Sequence, residues 1–353
     1  MPDGPIRETF INVPEWAQVA LYLGGLVSVA VLAWGLWRRI RPWQLGRQAL
    51  RDMLMQDWLR INVPLGIKQV LVYVFGQRRL VRNAYAGSMH VGLFWGFVLL
   101  FIGTALATID WDFARPFNIR ILQGAFYLGY ELVLDVAGVG FIVALCMGLY
   151  RRYHQRPSHL TYRKDFPVTL WSLLFISVTG FLVEALRIAF SHPAWGAWSP
   201  VGYLMSGLFA FMPESAQRGL HFSLWLAHAA VALVWIAVIS WNENAEHILV
   251  DPLNVFFAPR RSPPPTLVPI NIEEAVEKGL PLGVSKMEEF TWQQRLGFDT
   301  CTMCGRCEQA CPAFMQQTPL SPKNVILKLR WHMHAIDQAK GSADGAARPL
   351  QSA

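Results

Sequence analysis

Five stretches of the chain stay apolar for about the twenty residues that a bilayer crossing needs: Ala17 to Leu36, Met89 to Ile109, Ile121 to Tyr150, Val168 to Ile188 and Leu220 to Trp241. They predict five transmembrane helices. The first is flanked by Trp16 and by Trp37-Arg38-Arg39, an interfacial aromatic and a basic stop. It is too long, and too far from a small-residue cleavage pattern, to be a removed signal peptide. Pro193 to Met212 is also apolar but is broken by Pro200 and Gly202, which suits a re-entrant or interfacial segment. Beyond Trp241 the pattern changes. Asp251-Pro252, Pro259 and Ser262-Pro-Pro-Pro265 predict a stiff connector, Ile272 to Lys278 a short acidic helix, and Lys323 to Ala339 an amphipathic helix. The polar end, Gly341 to Ala353, predicts disorder. The expected organisation is a membrane domain at 1–250, a linker at 251–290, a cysteine-bearing segment at 291–340 and a tail at 341–353.

Composition agrees with a membrane protein: 53% of the 353 residues are hydrophobic, 16% are charged, and 15 are Trp. Charge then sets an orientation. Ten Lys and Arg lie between the first two spans, and Arg151, Arg152, Arg156, Arg163 and Lys164 lie between the third and fourth. The alternate side carries Arg7, Arg115, Arg120 and Arg218. By the positive-inside rule the N-terminus is outside and the C-terminal extension is cytoplasmic, as for a multi-pass protein of a bacterial inner membrane. Net charge of +7 is explained by topology and headgroup contact, without nucleic acid. In the long inner loop at 42–87, Met53, Leu54, Trp58, Leu59 and Arg60 suggest a helix lying on the membrane surface.

The strongest chemical signal is Cys301-Thr-Met-Cys304-Gly-Arg-Cys307-Glu-Gln-Ala-Cys311-Pro312. C-x2-C-x2-C-x3-C-P is the spacing of bacterial ferredoxin-type loops that hold a 4Fe-4S cluster. Structural zinc usually pairs two short motifs across a longer gap, and a disulfide is disfavoured in a reducing cytoplasm. In two-cluster ferredoxins the fourth cysteine serves the other cluster, so Cys311 either closes a single cube or awaits a partner. The fifth cysteine, Cys146, reads as a buried small hydrophobe.

Histidines near apolar helices give a second signal, because two neutral imidazoles can hold a haem iron. The second helix enters from inside and the fifth returns inside, so His90 and His247 share a depth. His228 and His247, 19 residues apart, would be about 28 Å apart on a continuous helix and cannot share one iron. His221 and His228 lie on one helix face, and an outer haem would need a partner such as His192. His154, His159, His332 and His334 read as surface residues. Acids at membrane depth are costly and usually functional. Glu131 and Asp135 share a face of the third helix, and Glu184 and Arg187 a face of the fourth. With His221 and His228 they suggest a pocket where a quinol loses its protons; interhelical ion pairing is the competing reading.

Gly87-Ser-Met-His90-Val-Gly-Leu-Phe-Trp95-Gly-Phe, Gly180-Phe-Leu-Val-Glu184-Ala-Leu-Arg187, and His221-x6-His228 followed by His247 resemble the membrane cytochrome b domain shared by nitrate reductase gamma subunits and heterodisulfide-reductase-related proteins. With the cysteine motif behind it, the chain resembles the electron-transfer-flavoprotein:menaquinone oxidoreductase type over about residues 16–330. The resemblance implies a five-helix bundle, haem b held by His90 and His247, exchange with menaquinone, and cytoplasmic iron–sulfur clusters. His228 matches one ligand of an outer haem, but its counterpart position on the second helix is Leu100. Relatives continue into a second cysteine motif, which implies that this chain is the membrane half of a split enzyme or a shortened form.

The expected protein is therefore an all-α membrane protein, a five-transmembrane-helix bundle with a small C-terminal ferredoxin-type segment. Its expected function is electron transfer between menaquinone and a cytoplasmic iron–sulfur protein or flavoprotein, as part of a quinone-linked oxidoreductase. Either direction of electron flow is compatible with the sequence. The rivals are a haem-free anchor for a cytoplasmic oxidoreductase and a transporter, the latter disfavoured because no inverted repeats occur.

Overall fold

The computed structural model describes residues 4–44, 63–243, 245–258, 271–279 and 283–341, with residues 340 and 341 as backbone only. Apart from one isolated bridge between Ile6 and Gln123, its regular structure is helical. In chain order the helices are α1 (Glu15–Ile40), α2 (Val63–Gln69), α3 (Ala84–Thr108), α4 (Gly124–Tyr150), α5 (Asp165–Ser191), α6 (Pro200–Ser206) and α7 (Glu214–Val238). There follow α8 (His247–Phe257), α9 (Ile272–Glu277), α10 (Trp292–Asp299), α11 (Arg306–Gln309), α12 (Pro312–Met315) and α13 (Pro322–Gly341). Five of these, α1, α3, α4, α5 and α7, are long and apolar enough to cross a membrane. The surface helix expected around Met53 to Arg60, the connector at Pro259 to Pro265 and the tail beyond 341 lie outside the described residues.

Local chemistry explains the boundaries that differ from expectation. α3 starts ahead of Met89 because the Asn83 side chain accepts from the Ala86 N–H at 2.9 Å, capping the helix there. α5 runs on to Ser191 and closes with His192 at φ 44°, whose N–H returns to the Ile188 carbonyl at 3.0 Å. The fifth long helix ends at Val238, not Trp241, and His247 opens a separate helix, α8. The continuous-helix distance expected between His228 and His247 is corrected accordingly. α8 also runs through Asp251-Pro252, where the sequence predicted a connector. Burial of Val250 and packing of Phe257 against the core outweigh the backbone bond that Pro252 removes.

Two compact units form. The first comprises Met1–Val31, Arg79–Pro157 and Tyr162–Val238. Within it α3 packs along α4, α5 along α7, and α6 against α5. Small residues permit the close approach typical of helices in lipid. At Gly96 an added Cβ would lie 2.6 Å from the Phe141 Cβ, and the Gly103 carbonyl accepts the Tyr130 hydroxyl at 3.0 Å. Cys146 is exposed on α4, contrary to expectation. A spanning helix presents apolar side chains outward to lipid, so an apolar segment does not imply a buried thiol.

The second unit comprises Leu32–Arg78, Ser158–Thr161 and Ile239–Ala353. Its core is Trp43, Val250, Met287, Trp292, Leu296, Phe298 and Met333. α10 starts with a reciprocal cap, Thr291 accepting from the Gln294 N–H at 3.2 Å and Gln294 from the Thr291 N–H at 2.9 Å. Trp43 donates to Asp299 at 2.5 Å, Arg295 donates to the Trp43 carbonyl at 3.0 Å, and Arg41 forks onto Asp337 at 2.6 and 2.9 Å. α10 and α13 are thereby fastened to the residues that end the first apolar helix.

Candidate functional site

The four clustered cysteines lie on a loop shaped by backbone conformation. Met303 and Gly305 both take left-handed dihedrals, with φ of 55° and 72°. The second position demands glycine for another reason: a Cβ there would stand 2.1 Å from the His159 carbonyl oxygen. Thr161 donates to the Met303 carbonyl at 3.4 Å and Gln309 meets His159 at 3.1 Å, so the segment at 158–161 backs the loop. His159 is thus a packing partner of the loop. α11 and α13 are joined through Glu308, which accepts from Ser321 at 2.6 Å and pairs with Lys323 at 2.8 Å. Partial burial works against the charge, but these bonds hold the Glu308 carboxylate below its usual range.

All four thiols are free, Cys304 and Cys307 exposed and Cys301 and Cys311 half-buried. Burial pushes the Cys301 and Cys307 thiols up, while the Met303 N–H and Lys323 favour the Cys301 thiolate. Among the described residues no three His, Cys, Asp or Glu side chains converge as a metal-holding group. The donor chemistry fits an iron–sulfur cluster: four thiols free of disulfides, carried on a loop with backbone N–H groups turned toward Cys301 and Cys307.

Behind the loop is a network of charges that sequence reasoning missed. Arg330 donates to the Cys301 carbonyl at 3.3 Å, bonds Glu246, and lies 3.4 Å from Asp299. Glu246 also pairs with Arg39 at 2.5 Å, and Asp299 bonds His334 at 2.8 Å. His334, expected at the surface, is half-buried in this network because α13 turns it toward α10. Glu246 directly precedes His247, so one arginine connects the start of the cysteine loop to the start of α8.

In the first unit the acids expected to line a quinol pocket are brought together in part. Arg187 forks onto Glu184 at 2.6 and 3.0 Å and reaches Glu131 at 3.3 Å. Glu131 also meets Arg7 at 3.4 Å and accepts from Ser199 at 2.7 Å. Arg7 and Ser199 come from segments remote in sequence and were not foreseen. Asp135 departs from this group: its carboxylate accepts from the Val201 and Gly202 N–H groups at 3.0 and 3.1 Å, fixing the start of α6. His221 is buried, 3.4 Å from Asn12 and edge-on to Phe190.

His228 lies 3.1 Å from the Thr179 hydroxyl through Nδ1. The same hydroxyl faces the Phe175 carbonyl at 2.7 Å and the Ile176 carbonyl at 3.1 Å. His192 caps α5 instead of joining it. His90 on α3 and His247 at the start of α8 are each half-buried and belong to different units.

The chain is 31% identical over 347 residues to the EtfAB:quinone oxidoreductase of Syntrophomonas wolfei, covering 94% of this chain and 46% of that protein. It is 33% identical over 299 residues to a probable membrane-anchored ferredoxin of Chromohalobacter salexigens, covering 85% and 39%. With FadF of Bacillus subtilis, a probable iron-sulfur-binding oxidoreductase, it shares 26% identity over 269 residues, covering 75% and 36%. The chain thus spans less than half the length of each of these relatives. No protein-family model and no solved structure matches it. At about 30% identity the chain is a distant homologue of these three proteins, whose names speak of a quinone, of iron–sulfur binding and of a membrane anchor.

Proposed function

We propose that this chain is a membrane-bound electron-transfer protein, all or part of a quinone-linked oxidoreductase, working between menaquinone and a cytoplasmic redox partner, an electron-transfer flavoprotein. The observation that carries the reading is the C-x2-C-x2-C-x3-C-P loop built into the unit that also contains the end of the first apolar helix. Similarity to an EtfAB:quinone oxidoreductase over 94% of the chain supports the choice of partner and acceptor. Cys301, Cys304, Cys307 and Cys311 would hold a 4Fe-4S cluster, which when bound carries one electron at a time. Exposure of Cys304 and Cys307 leaves that edge open to a docking protein, and Arg330 fixes the loop from its buried side.

His90, in the first unit, and His247, in the second, are each proposed as candidate haem b ligands, with His228, beside the Thr179 hydroxyl, as a candidate ligand of an outer one; His221 is a less favoured candidate because Asn12 and Phe190 engage it. Glu131, Glu184 and Arg187 are proposed to form the quinone-proximal proton site, with Asp135 holding the adjacent α6 in place. The basic loops are assigned to the cytoplasmic side. The second reading is a haem-free anchor carrying the same cluster.

Purification with iron and sulfide analysis, electron paramagnetic resonance and a reduced-minus-oxidised spectrum tests the scheme. The expected result is four irons in a cubane-type signal, lost in Cys304→Ser, and a b-type alpha band lost in His247→Ala. A cluster without an alpha band selects the anchor reading. Zinc in place of iron overturns the proposal.

A further inference from the structure

Within the second unit, the end of α1, the turn after α7 and one face of α13 enclose an open cavity of about 570 Å³. Arg38, Arg39, Arg41 and Arg330 line it, with Trp241 and Trp331. Three of the guanidiniums are already committed. Arg39 pairs with Glu246, Arg41 with Asp337, and Arg330 with Glu246 and Asp299. Arg38 differs: among the described residues it has no carboxylate within ion-pair distance. It is carried over the Trp241 ring at 4.6 Å and near the Trp34 ring at 5.8 Å.

The lining contains two carboxylates, Asp337 and Glu243, against four arginines. Glu246 and Asp299 neutralise Arg39 and Arg330 from behind the lining, so the group that favours an anion is the Arg38 guanidinium, which has no ion pair among the described residues. The location selects which anion. Gly35 and Arg38 belong to the last turns of a helix whose exposed Trp34 and Trp37 are apolar flanks, and Trp241 follows another long apolar helix. Arginines and tryptophans at the ends of apolar spans sit where lipid headgroups lie.

We propose that this cavity is a binding site for the phosphate of an anionic phospholipid, taken from the adjacent leaflet with its acyl chains along α1. Arg38 supplies the uncompensated charge. Arg39, Arg41 and Arg330, held by their carboxylates, form fixed walls that need no reordering when the headgroup enters. Trp241 and Trp331 contact the glycerol region. Such a lipid would tie α13, the helix behind the cysteine loop, to the membrane surface. The site does not depend on the redox reading above.

The experiment is native mass spectrometry of the detergent-purified full chain titrated with dioleoyl phosphatidylglycerol, cardiolipin, dioleoyl phosphatidylcholine or inorganic phosphate. One anionic lipid per chain should be retained in preference to phosphatidylcholine. Arg38→Gln should weaken that binding about five- to tenfold, as loss of one surface guanidinium implies, and Arg38→Lys should largely restore it. Trp331→Leu, which leaves every charge in place, should weaken both anionic lipids equally. Equal retention of phosphatidylcholine, an Arg38→Gln chain that binds like wild type, or saturation by inorganic phosphate alone overturns the proposal. Should Arg38→Gln fail to fold, Trp331→Leu and the choice among lipids decide the matter.

Discussion

Arg330 and Glu246 form an ion pair in the interior of the second unit, both side chains almost wholly shielded. The same arginine bonds the carbonyl of Cys301, and the same glutamate precedes His247. Removing one member of a buried pair strands the other charge, at a cost of about 3–5 kcal/mol. Arg330→Ala is therefore expected to lower the denaturation midpoint and to disturb the cysteine loop and the start of α8 together. Iron content and thermal unfolding of the purified variant check this. Wild-type stability with wild-type iron content would falsify the linkage.

Gly305 faces two constraints at once. Its φ of 72° is unfavourable for any L side chain, and its missing Cβ leaves room for the His159 carbonyl. A flexible neighbour could move aside, but a backbone carbonyl held by its own chain cannot do so cheaply. Gly305→Ala should therefore cost at least ~1–3 kcal/mol in backbone strain alone. The expected phenotype is a folded membrane domain with sub-stoichiometric iron. Circular dichroism beside iron and sulfide assay separates that outcome from general misfolding. Full cluster loading in the alanine variant would show that the loop is not held against His159.

Asp251 is a different kind of residue: its Oδ1 is buried without a hydrogen-bond partner, and burial pushes its pKa up to about 7. The unfolded chain should titrate near the ordinary aspartate value of about 3.9. Between those two values the folded state binds the extra proton. Stability consequently falls as pH rises through that window and is lowest above about 7. Asp251→Asn keeps the shape and removes the titration. It should be more stable than wild type at alkaline pH, by on the order of 2 kcal/mol after relaxation, with the advantage shrinking as pH falls. Guanidinium midpoints of both proteins across the pH range measure this directly. A pH-independent difference rejects the assignment.

What the sequence disclosed and what it withheld follow from range. The five long helices were legible because each needs only its own apolar run, and the cysteine loop because its spacing is local. Glu131 meeting Arg7, or Trp43 meeting Asp299, depends on chain segments 124 and 256 residues apart, and no local periodicity encodes such a meeting. The partners of Asp135 were out of reach of the sequence for a related reason. A carboxylate at membrane depth looks chemical in sequence, and here it accepts from two backbone N–H groups at the start of α6. His334 looked superficial because amphipathicity reports which side of α13 is polar, not which polar residues another helix covers.

Glu131 is the acid in the first unit with the most varied partners: Arg187, Arg7 and the Ser199 hydroxyl. Glu184, by contrast, receives a two-pronged guanidinium and is the fixed counter-ion of Arg187. A proton-handling carboxylate must exchange partners during turnover, and single bonds at 3.3–3.4 Å exchange more readily than a bidentate fork. On the proposed function, Glu131→Gln should accordingly lower quinone-dependent turnover by ~10²-fold, in the range for loss of a general acid–base, while leaving reduction of the proposed cluster by its donor intact. Glu184→Gln should chiefly destabilise, because it leaves Arg187 half-compensated at membrane depth. Stopped-flow reduction of the cluster, set beside steady-state quinone turnover, distinguishes the two variants. Equal loss of both rates in Glu131→Gln would mean that Glu131, Glu184 and Arg187 form a structural clamp and that the quinone reacts elsewhere.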